Sequence, residues 1–306
     1  MSKLIIVESP SKIKTIKKTL GSGYNVMASK GHVRDLPKSK LGVDIEHDFK
    51  PQYINMSDKR ELIKELKEAA ANSDEVLLAT DPDREGEAIS WHLQTVLGLD
   101  EKAKNRIEFN EVSQKAVEKA LTQPRTINYN LVDAQQARRV LDRLVGYKLS
   151  TVLNHKIESE NNSKTLSGGR VQSVALKLIV DREREIEAFK PQEYWNISAL
   201  LQDKEKAHAP FKASLEKKNG KKYKPASKAE TDEVLAALNA GEFIVAAMKK
   251  SVVKSHAPAP FTTSSMQQES SNKLGFTAPE TMSLAQHLYE GIGTENGDHI
   301  AFITYM

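Results

Sequence analysis

Residues 1–127 alternate between short apolar runs and longer segments with helical periodicity. The apolar runs are KLIIVES at 3–9, DEVLLAT at 74–80 and NRIEFNEV at 105–112. Each run precedes a segment whose apolar residues recur every three or four positions, which indicates a helix. Alternating strands and helices are typical of a parallel α/β sheet. Residues 31–58 break the alternation and are expected to form an excursion from that sheet.

Residues 128–190 have helical periodicity throughout. Two long helices are predicted, separated by the turn LSGGRVQS at 166–173. Each predicted helix carries one apolar stripe, formed by Leu131, Ala134, Ala137, Leu141 and Leu144 on the first helix and by Val171, Val174, Leu178 and Ile186 on the second.

The sequence becomes β-rich after Pro191. EYWNISALL at 193–201 alternates between polar and apolar residues, and Asn219-Gly220 between lysines predicts a hairpin turn. HAPAPF at 256–261 indicates a stiff linker. We therefore predict a multidomain protein of the α/β and α classes, with domains at 1–127, 128–190, 191–255 and 256–306.

The composition excludes several classes of protein. The chain has 306 residues, of which 39% are hydrophobic and 28% charged, as in globular proteins with more than one core. No apolar run reaches the roughly 18 residues of a membrane span, so no membrane partner is expected, and the lack of cysteine fits a reducing cytoplasm. The absence of cysteine excludes disulfides and cysteine zinc sites. No GxxxxGK[ST] loop is present, so no nucleoside triphosphate site of that type is expected.

Acidic residues follow two of the predicted strands. ATDPDREGEA places Asp81, Asp83, Glu85 and Glu87 after the second strand, and Glu8 ends the first. The functional crevice of an open α/β sheet lies beyond the carboxyl ends of its strands. Several carboxylates in one crevice repel one another, and Mg²⁺ relieves that repulsion. The alternative is a solvated acidic turn that caps a helix, and we assign Glu87 to such a turn.

Basic residues mark the predicted helices after residue 128. Arg138, Arg139 and Arg143 lie on one helix, with Asp142 positioned to hold the guanidinium of Arg138. In the following turn two glycines precede Arg170, which allows a close backbone approach to an anion. These segments suit successive phosphates of a nucleic acid strand. The alternatives are an ordinary salt-bridged helix surface and a plain turn at a helix start.

Six stretches, in the same order as in a known family, carry a resemblance that spans nearly the whole chain. LIIVESPSKIKTI, ASKGHVRDLP, LATDPDREGEAISWHL, FNEV, AQQARRVLDRLVGYKLS and LSGGRVQSVALKLIVDREREIEAF resemble the type IA DNA topoisomerases, and within them the bacterial topoisomerase I group. The resemblance implies a Toprim domain at 1–127, a helical single-strand-binding domain at 128–190, a β-rich arch segment at 191–255 and an incomplete tyrosine-bearing domain at 256–306.

The resemblance also gives a role to the last residues, FITYM. By this likeness Tyr305 attacks single-stranded DNA and forms a 5′-phosphotyrosine bond. The implied activity is Mg²⁺-dependent, ATP-independent relaxation of negatively supercoiled DNA by a monomeric, nucleoid-associated bacterial enzyme. The family pattern continues TYM with RTDS, whereas this sequence stops at Met306. We therefore expect a piece that binds single-stranded DNA and Mg²⁺ but relaxes supercoils poorly or not at all.

Individual roles carry over to the positions that match the family motifs. Tyr305, Glu8 and Lys12 would form the reaction centre, with Lys12 facing the phosphate. The metal ligands would be Glu8, Asp81, Asp83 and Glu85. Asn154 stands where relatives often carry a bulky aromatic. The implied DNA-binding residues are His32, Arg138, Arg139, Asp142, Tyr147, Asn154, Gly168, Gly169, Arg170, Val171, Gln172 and Ser173.

Two other functions use the same residues differently. A Toprim-type nuclease or primase would use the acids without a covalent step, so its activity would not depend on Tyr305. A non-catalytic nucleic-acid-binding protein would use the basic segments at 128–190 and 212–228. Such a protein would be indifferent to Asp81→Ala and Asp83→Ala apart from looser or tighter DNA binding.

Overall fold

The structure, a computed structural model, describes residues 2–157, 166–205, 207–293 and 299–305. It contains two compact units, Met1–Val174 with Ala259–Met306, and Ala175–Pro258. The strands are β1 (Lys3–Val7), β2 (Tyr24–Ala28), β3 (Arg34–Asp35), β4 (Val43–Asp44), β5 (Lys50–Pro51), β6 (Ile54–Asn55), β7 (Glu75–Ala79), β8 (Ser198–Leu201), β9 (Phe211–Ser214), β10 (Lys217–Lys218), β11 (Lys221–Lys222), β12 (Ile292–Gly293) and β13 (His299–Ile300). The helices are α1 (Ser11–Leu20), α2 (Arg60–Ala71), α3 (Arg84–Leu97), α4 (Gln114–Leu121), α5 (Tyr129–Lys156), α6 (Arg170–Ala188), α7 (Lys228–Ala240), α8 (Thr263–Leu274) and α9 (Ala278–Glu290).

The first unit is built on a parallel three-stranded sheet in the order β2-β1-β7. Because successive side chains of a strand point to opposite faces, Ile5 and Val7 pack in one buried cluster and Leu4 and Ile6 in another. The first cluster contains residues of α1 and α4, and the second contains residues of α2 and α3. The predicted α/β arrangement with a parallel sheet is thus confirmed.

Two strand assignments differ from the prediction. Tyr24–Ala28 forms an outer strand that the sequence analysis did not identify. Residues 105–112 do not form a strand, because Arg106 makes only one parallel bridge to Leu78 and one antiparallel bridge to Arg125. The apolar character of this segment reflects burial of a loop in the first cluster, through Ile107, Phe109 and Val112.

The excursion at 31–58 contains two small antiparallel pairs, β3 with β6 and β4 with β5. These pairs are separate from the parallel sheet, in agreement with the predicted break.

Helix α5 forms as predicted, but its buried face is not the predicted apolar stripe. Val132 and Gln135 are buried, whereas Leu141 is 46% exposed. The helix packs on α3 and then contacts the excursion through polar bonds of Arg139 and Arg143. The prediction was wrong because part of this packing face is polar.

Helix α6 also departs from the expected amphipathic pattern. None of its residues is buried, and Val171 and Val174 are 72% and 60% exposed. The periodicity therefore predicted the helix but not the burial of its apolar residues.

The second unit contains the antiparallel pairs β8–β9 and β10–β11, together with α7. Asn219 and Gly220 have φ angles of 52° and 77°, as a tight hairpin turn requires, so the predicted hairpin is confirmed. Among the described residues, no helix is both long and apolar enough to cross a membrane.

The last segment of the first unit consists of α8, α9 and the pair β12–β13. Each helix begins with a capping box, in which Thr262 pairs with Ser265 and Thr277 with Glu280. These caps fix where the helices start, and the chain then leads from α9 to Tyr305.

Candidate active site

The acidic cluster lies where two parallel strands end. Strands β1 and β7 pair in register up to their last residues, so Glu8 and Asp81 leave the sheet at the same edge. Asp83 follows as the N-cap of α3, and its carboxylate accepts a 2.7 Å hydrogen bond from the amide of Gly86. The structure thus brings these three acids to the edge of the sheet where α/β proteins bind ligands.

Glu8 is electrostatically crowded in this cluster. Burial is the largest cause that raises the pKa of Glu8. The negative charges of Asp81 and Asp83 raise it further, and the positive charge of Lys12 lowers it. The resulting pKa is about 7. A carboxyl group that titrates near neutrality beside two other acids is suited to binding a cation or a proton.

The two aspartates are held by Lys12 and Tyr305. The ammonium group of Lys12 is buried and pairs with the carboxylate of Asp81. The hydroxyl of Tyr305 donates a hydrogen bond to Asp83. The backbone amide of Tyr305 donates to the carbonyl oxygen of Asn110 at 2.7 Å, which ties the end of the chain to the sheet domain.

The surroundings of Tyr305 keep its hydroxyl protonated. Burial raises the pKa of Tyr305 well above its usual range, and the hydrogen bond to Asp83 and the charge of Asp81 raise it further. In this arrangement the residue is a phenol oriented by a carboxylate. It becomes a nucleophile only when that proton is removed.

Two residues at the end of α9 complete the cluster and were missed by the sequence analysis. Tyr289 is 4% exposed, and its ring meets the ring of Tyr305 edge-on at 5.3 Å. Burial, followed by the charges of nearby acids, raises the pKa of Tyr289. The carboxylate of Glu290 accepts hydrogen bonds from Ser11 and, at 2.7 Å, from Gln286. No spacing in the sequence links Tyr289 and Glu290 to the acids, because they follow the last of these acids by more than 200 positions.

The donor set has the chemistry of a Mg²⁺ site but is not arranged as a ligand shell. Three carboxylates at one sheet edge, where burial and the neighbouring acids raise the pKa of Glu8, fit a divalent cation. However, Asp81 binds Lys12 and Asp83 binds Tyr305. Over residues 2–157, 166–205, 207–293 and 299–305, no three acidic or histidine side chains form a group that could hold a metal ion.

Glu85 does not join the other acids. Its carboxylate lies 3.3 Å from His32 Nε2 and accepts a 3.1 Å hydrogen bond from Gln135. These residues line a cavity of about 430 Å³. Three buried polar atoms of this cavity have no partner in the described part of the protein: the Tyr53 hydroxyl, His92 Nδ1 and Gln135 Oε1.

Glu87 is not the solvated turn residue that we predicted. Its carboxylate is fully buried and receives hydrogen bonds from Arg106 at 3.0 Å and from Arg125 at 2.7 and 2.8 Å. Burial raises the pKa of Glu87, but the bonds from Arg125, the Asn128 amide and Arg106 lower it more, so the group stays ionised. Glu87 helps to hold the backbone of Asp81 in place, because its partner Arg106 also donates to the carbonyl oxygen of Asp81 at 2.8 Å.

Most of the predicted DNA-binding residues of α5 line one open groove, whereas Arg138 lines the cavity that contains His32 and Glu85. Arg139 forms a bidentate pair with Asp35, at 2.9 and 2.6 Å. Asp142 pairs with Arg170 and also, at 3.8 Å, with its predicted partner Arg138. The groove measures about 620 Å³, and its lining includes Arg139, Asp142, Tyr147 and Asn154.

The glycine turn before α6 lies beside this groove. A β-carbon at Gly168 would lie 2.6 Å from the side chain of Leu149, so the turn packs more closely than a larger residue allows. Asn154 donates to the carbonyl oxygen of Leu166 at 2.6 Å and accepts from its amide at 2.8 Å. Asn154 therefore braces this turn. Gly169, Val171, Gln172 and Ser173 follow at the start of α6.

Comparisons with known proteins agree with this geometry. A family model described as DNA topoisomerase matches residues 126–306, and one described as Toprim domain matches residues 3–112. Among solved structures, full-length topoisomerase I from Thermotoga maritima is similar, with 45% sequence identity and a TM-score of 0.83. The match covers 99% of this chain and 48% of that one, so the chain spans about half the length of that protein.

Proposed function

Because the chain belongs to the bacterial type IA DNA topoisomerase I family, we propose that its first unit cleaves and rejoins single-stranded DNA through Tyr305. The observation that carries this proposal is the position of the Tyr305 hydroxyl. It is bound to Asp83 and lies at the same sheet edge as Lys12, Asp81 and Glu8. A nucleophile, an acceptor for its proton and a cation for the phosphate are therefore present together.

The proposed reaction is a reversible phosphoryl transfer. The oxygen of Tyr305 attacks phosphorus, and the bond from phosphorus to the 3′ oxygen breaks. The 5′ end becomes attached to the protein, and the leaving 3′ oxygen takes up a proton. Asp83 is placed to accept the phenolic proton, and Lys12 is placed to balance the charge of the phosphate. Rejoining reverses these steps, so the bond energy is retained and no ATP is required.

We infer that Glu8, Asp81 and Asp83 bind Mg²⁺ when DNA is present. A bound cation would offset the mutual repulsion of carboxylates and phosphates at this edge. It would compete with Lys12 and Tyr305 for the two aspartates. Glu85 has a separate role in this proposal, because it orients His32 and Gln135 in the cavity of about 430 Å³.

The DNA strand is proposed to follow the groove along α5 to the acidic edge. Arg138, Tyr147 and Arg170 would contact the strand there, by phosphate pairing and base stacking. We further propose that this cleavage and rejoining serves the relaxation of negatively supercoiled DNA, and that the chain is a cytoplasmic monomer. The domain division at 1–127, 128–190, 191–255 and 256–306 belongs to the same proposal.

A covalent adduct assay tests the proposed function. The chain is incubated with end-labelled single-stranded DNA and Mg²⁺, then denatured, and label attached to protein is measured. We expect an adduct that Tyr305→Phe abolishes, because phenylalanine has no oxygen to form the ester. Tyr24→Phe, at the opposite end of the sheet, is the matched control. Cut DNA without attached protein, equally in both variants, would instead indicate a Toprim-type nuclease.

The stability of the chain is expected to depend on the protonation of Glu8. Its pKa is about 7 in the folded state against 4.5 for the ordinary group, so the folded protein retains a proton that the unfolded chain has released. In the absence of divalent cations, its contribution to the free energy of unfolding should fall by up to roughly 3 kcal/mol as the pH rises between these values.

Thermal unfolding across this pH range, with and without Mg²⁺, measures the effect. Mg²⁺ should restore stability at the upper end of the range, because a carboxylate ligand binds metal in its ionised form. Glu8→Gln should flatten the pH dependence and weaken the response to Mg²⁺. Equal pH slopes in the parent and in Glu8→Gln would contradict the prediction.

A further inference from the structure

The hydroxyl of Tyr289 is buried without a hydrogen-bond partner among the described residues. The residue is 4% exposed, and its ring belongs to the buried cluster beneath the sheet. Phenylalanine would fill the same space without the cost of hiding a polar group from water. An orphaned hydroxyl of this kind indicates a partner that binds at this place.

Tyr289 lies between the two groups that hold the aspartates. The centroids of the Tyr289 and Tyr305 rings are 5.3 Å apart, and the ring planes make an angle of 68°, which is a T-shaped contact. On the face of the Tyr289 ring, the ammonium nitrogen of Lys12 lies 4.7 Å from the ring centroid. The next residue, Glu290, fixes the end of α9 through the hydroxyl of Ser11. Contacts with Lys12 and Tyr305 therefore fix the position of Tyr289 next to the reacting groups.

We propose that the Tyr289 hydroxyl donates a hydrogen bond to a non-bridging oxygen of the phosphodiester that Tyr305 attacks. The inference rests on the proposed function, which supplies the phosphodiester. Phosphoryl transfer places negative charge on the non-bridging oxygens, and a fixed donor stabilises that charge without reorganisation. A phenol is a neutral donor, so unlike a second lysine it does not bind the neighbouring carboxylates as an ion pair.

The variant Tyr289→Phe tests this role because it removes only the hydroxyl. The rate of adduct formation should fall 10- to 100-fold, as expected for loss of a hydrogen bond to a charged oxygen. The thermal midpoint should stay unchanged or rise, because an unsatisfied buried group has been removed. Tyr24→Phe makes the same chemical change at the far end of the sheet and should alter neither quantity.

A second measurement separates this inference from the proposed function. Binding of the same oligonucleotide is compared between Tyr305→Phe and the double variant Tyr305→Phe/Tyr289→Phe, in which no cleavage can occur. We expect the double variant to bind at least about threefold more weakly. If the parent forms no Tyr305-dependent adduct, the proposed function fails, and this binding difference alone decides the role of Tyr289.

Two results would overturn the inference. One is a Tyr289→Phe chain that cleaves and binds like its parent. The other is a lower thermal midpoint in Tyr289→Phe, because the hydroxyl would then have a structural partner in the free protein.

Discussion

A chain carrying Gly86→Ala is expected to be less stable and to lose most of its capacity to form the DNA adduct. A β-carbon at this position would lie 2.1 Å from the carbonyl oxygen of Asp81 and 2.8 Å from its amide nitrogen. Atoms in a packed interior do not approach so closely. Both obstructing atoms belong to the backbone, so no side-chain rotation can relieve the contact.

The higher helix propensity of alanine would stabilise the variant, but this effect is smaller than the cost of the close contact. Alanine gains about 1 kcal/mol over glycine inside a helix, whereas overpacking costs typically 1–3 kcal/mol and occasionally more. The amide of Gly86 also donates to the carboxylate of the N-cap residue Asp83, and its carbonyl oxygen accepts a bond from Thr80 at 2.5 Å. Both bonds are disturbed if the backbone moves. We expect a net loss of about 2 kcal/mol in the free energy of unfolding.

The effect on activity should exceed the effect on stability. The contact displaces the loop that presents Asp81 and Asp83 to Lys12 and Tyr305. Misplacement of reacting groups by about 1 Å can cost 100-fold in rate. We expect a loss of about that size in the adduct assay, measured below the melting temperature of the variant.

Gly23→Ala is the matched control for Gly86→Ala. A β-carbon at Gly23 meets no atom within 4 Å, so this variant should retain both its stability and its adduct formation. If Gly86→Ala behaved like Gly23→Ala in both assays, the tight approach to Asp81 would have no functional consequence.

The features that could be predicted from the sequence are those decided by neighbours along the chain. The periodicity of β1, β7 and α3 identified the parallel sheet. The placement of Glu8 and Asp81 followed from the rule that parallel strands end at a common edge. These signals depend on residues that are close in the sequence, so contacts with distant parts of the chain do not change them.

The features that could not be predicted depend on partners far away along the chain. Glu87 was assigned to solvent, yet its partners Arg106 and Arg125 lie 19 and 38 positions later. Tyr289 contacts Lys12, and no sequence spacing relates the two. The inner face of α5 was misassigned because Arg139 bonds to Asp35, and periodicity counts a charged residue as solvent-facing.

Loss of the buried carboxylate in Glu87→Ala is expected to destabilise the first unit by about 3–5 kcal/mol, because a buried charge loses its partner. The guanidinium of Arg106 is fully buried and pairs with Glu87 at 3.0 Å. Burial of this guanidinium lowers the pKa of Arg106 even with Glu87 present. The other partner, Arg125, is partly exposed, so water can solvate it when the carboxylate is removed.

Replacing both members of the pair should not restore stability. Buried ion pairs can often be exchanged for apolar residues with little loss. Arg106, however, also donates to the carbonyl oxygens of Leu78, Thr80, Ile107 and Asp81. The double variant Glu87→Leu/Arg106→Met would remove this donor from the carbonyl oxygens of Thr80, Ile107 and Asp81 at the strand end that carries the acids, whereas Leu78 would keep its bond from the Ile107 amide. We therefore expect it to be at least as unstable as Glu87→Ala.

Denaturant unfolding of the single and double variants measures both effects, with Glu75→Ala as control. Glu75 pairs with Lys3 in the same sheet domain, but both side chains are more than a third exposed. Its removal should cost no more than about 1 kcal/mol. A double variant as stable as the parent would mean that the Glu87–Arg106 pair acts as a simple ion pair. The carbonyl contacts would then contribute little to holding the Asp81 loop in place.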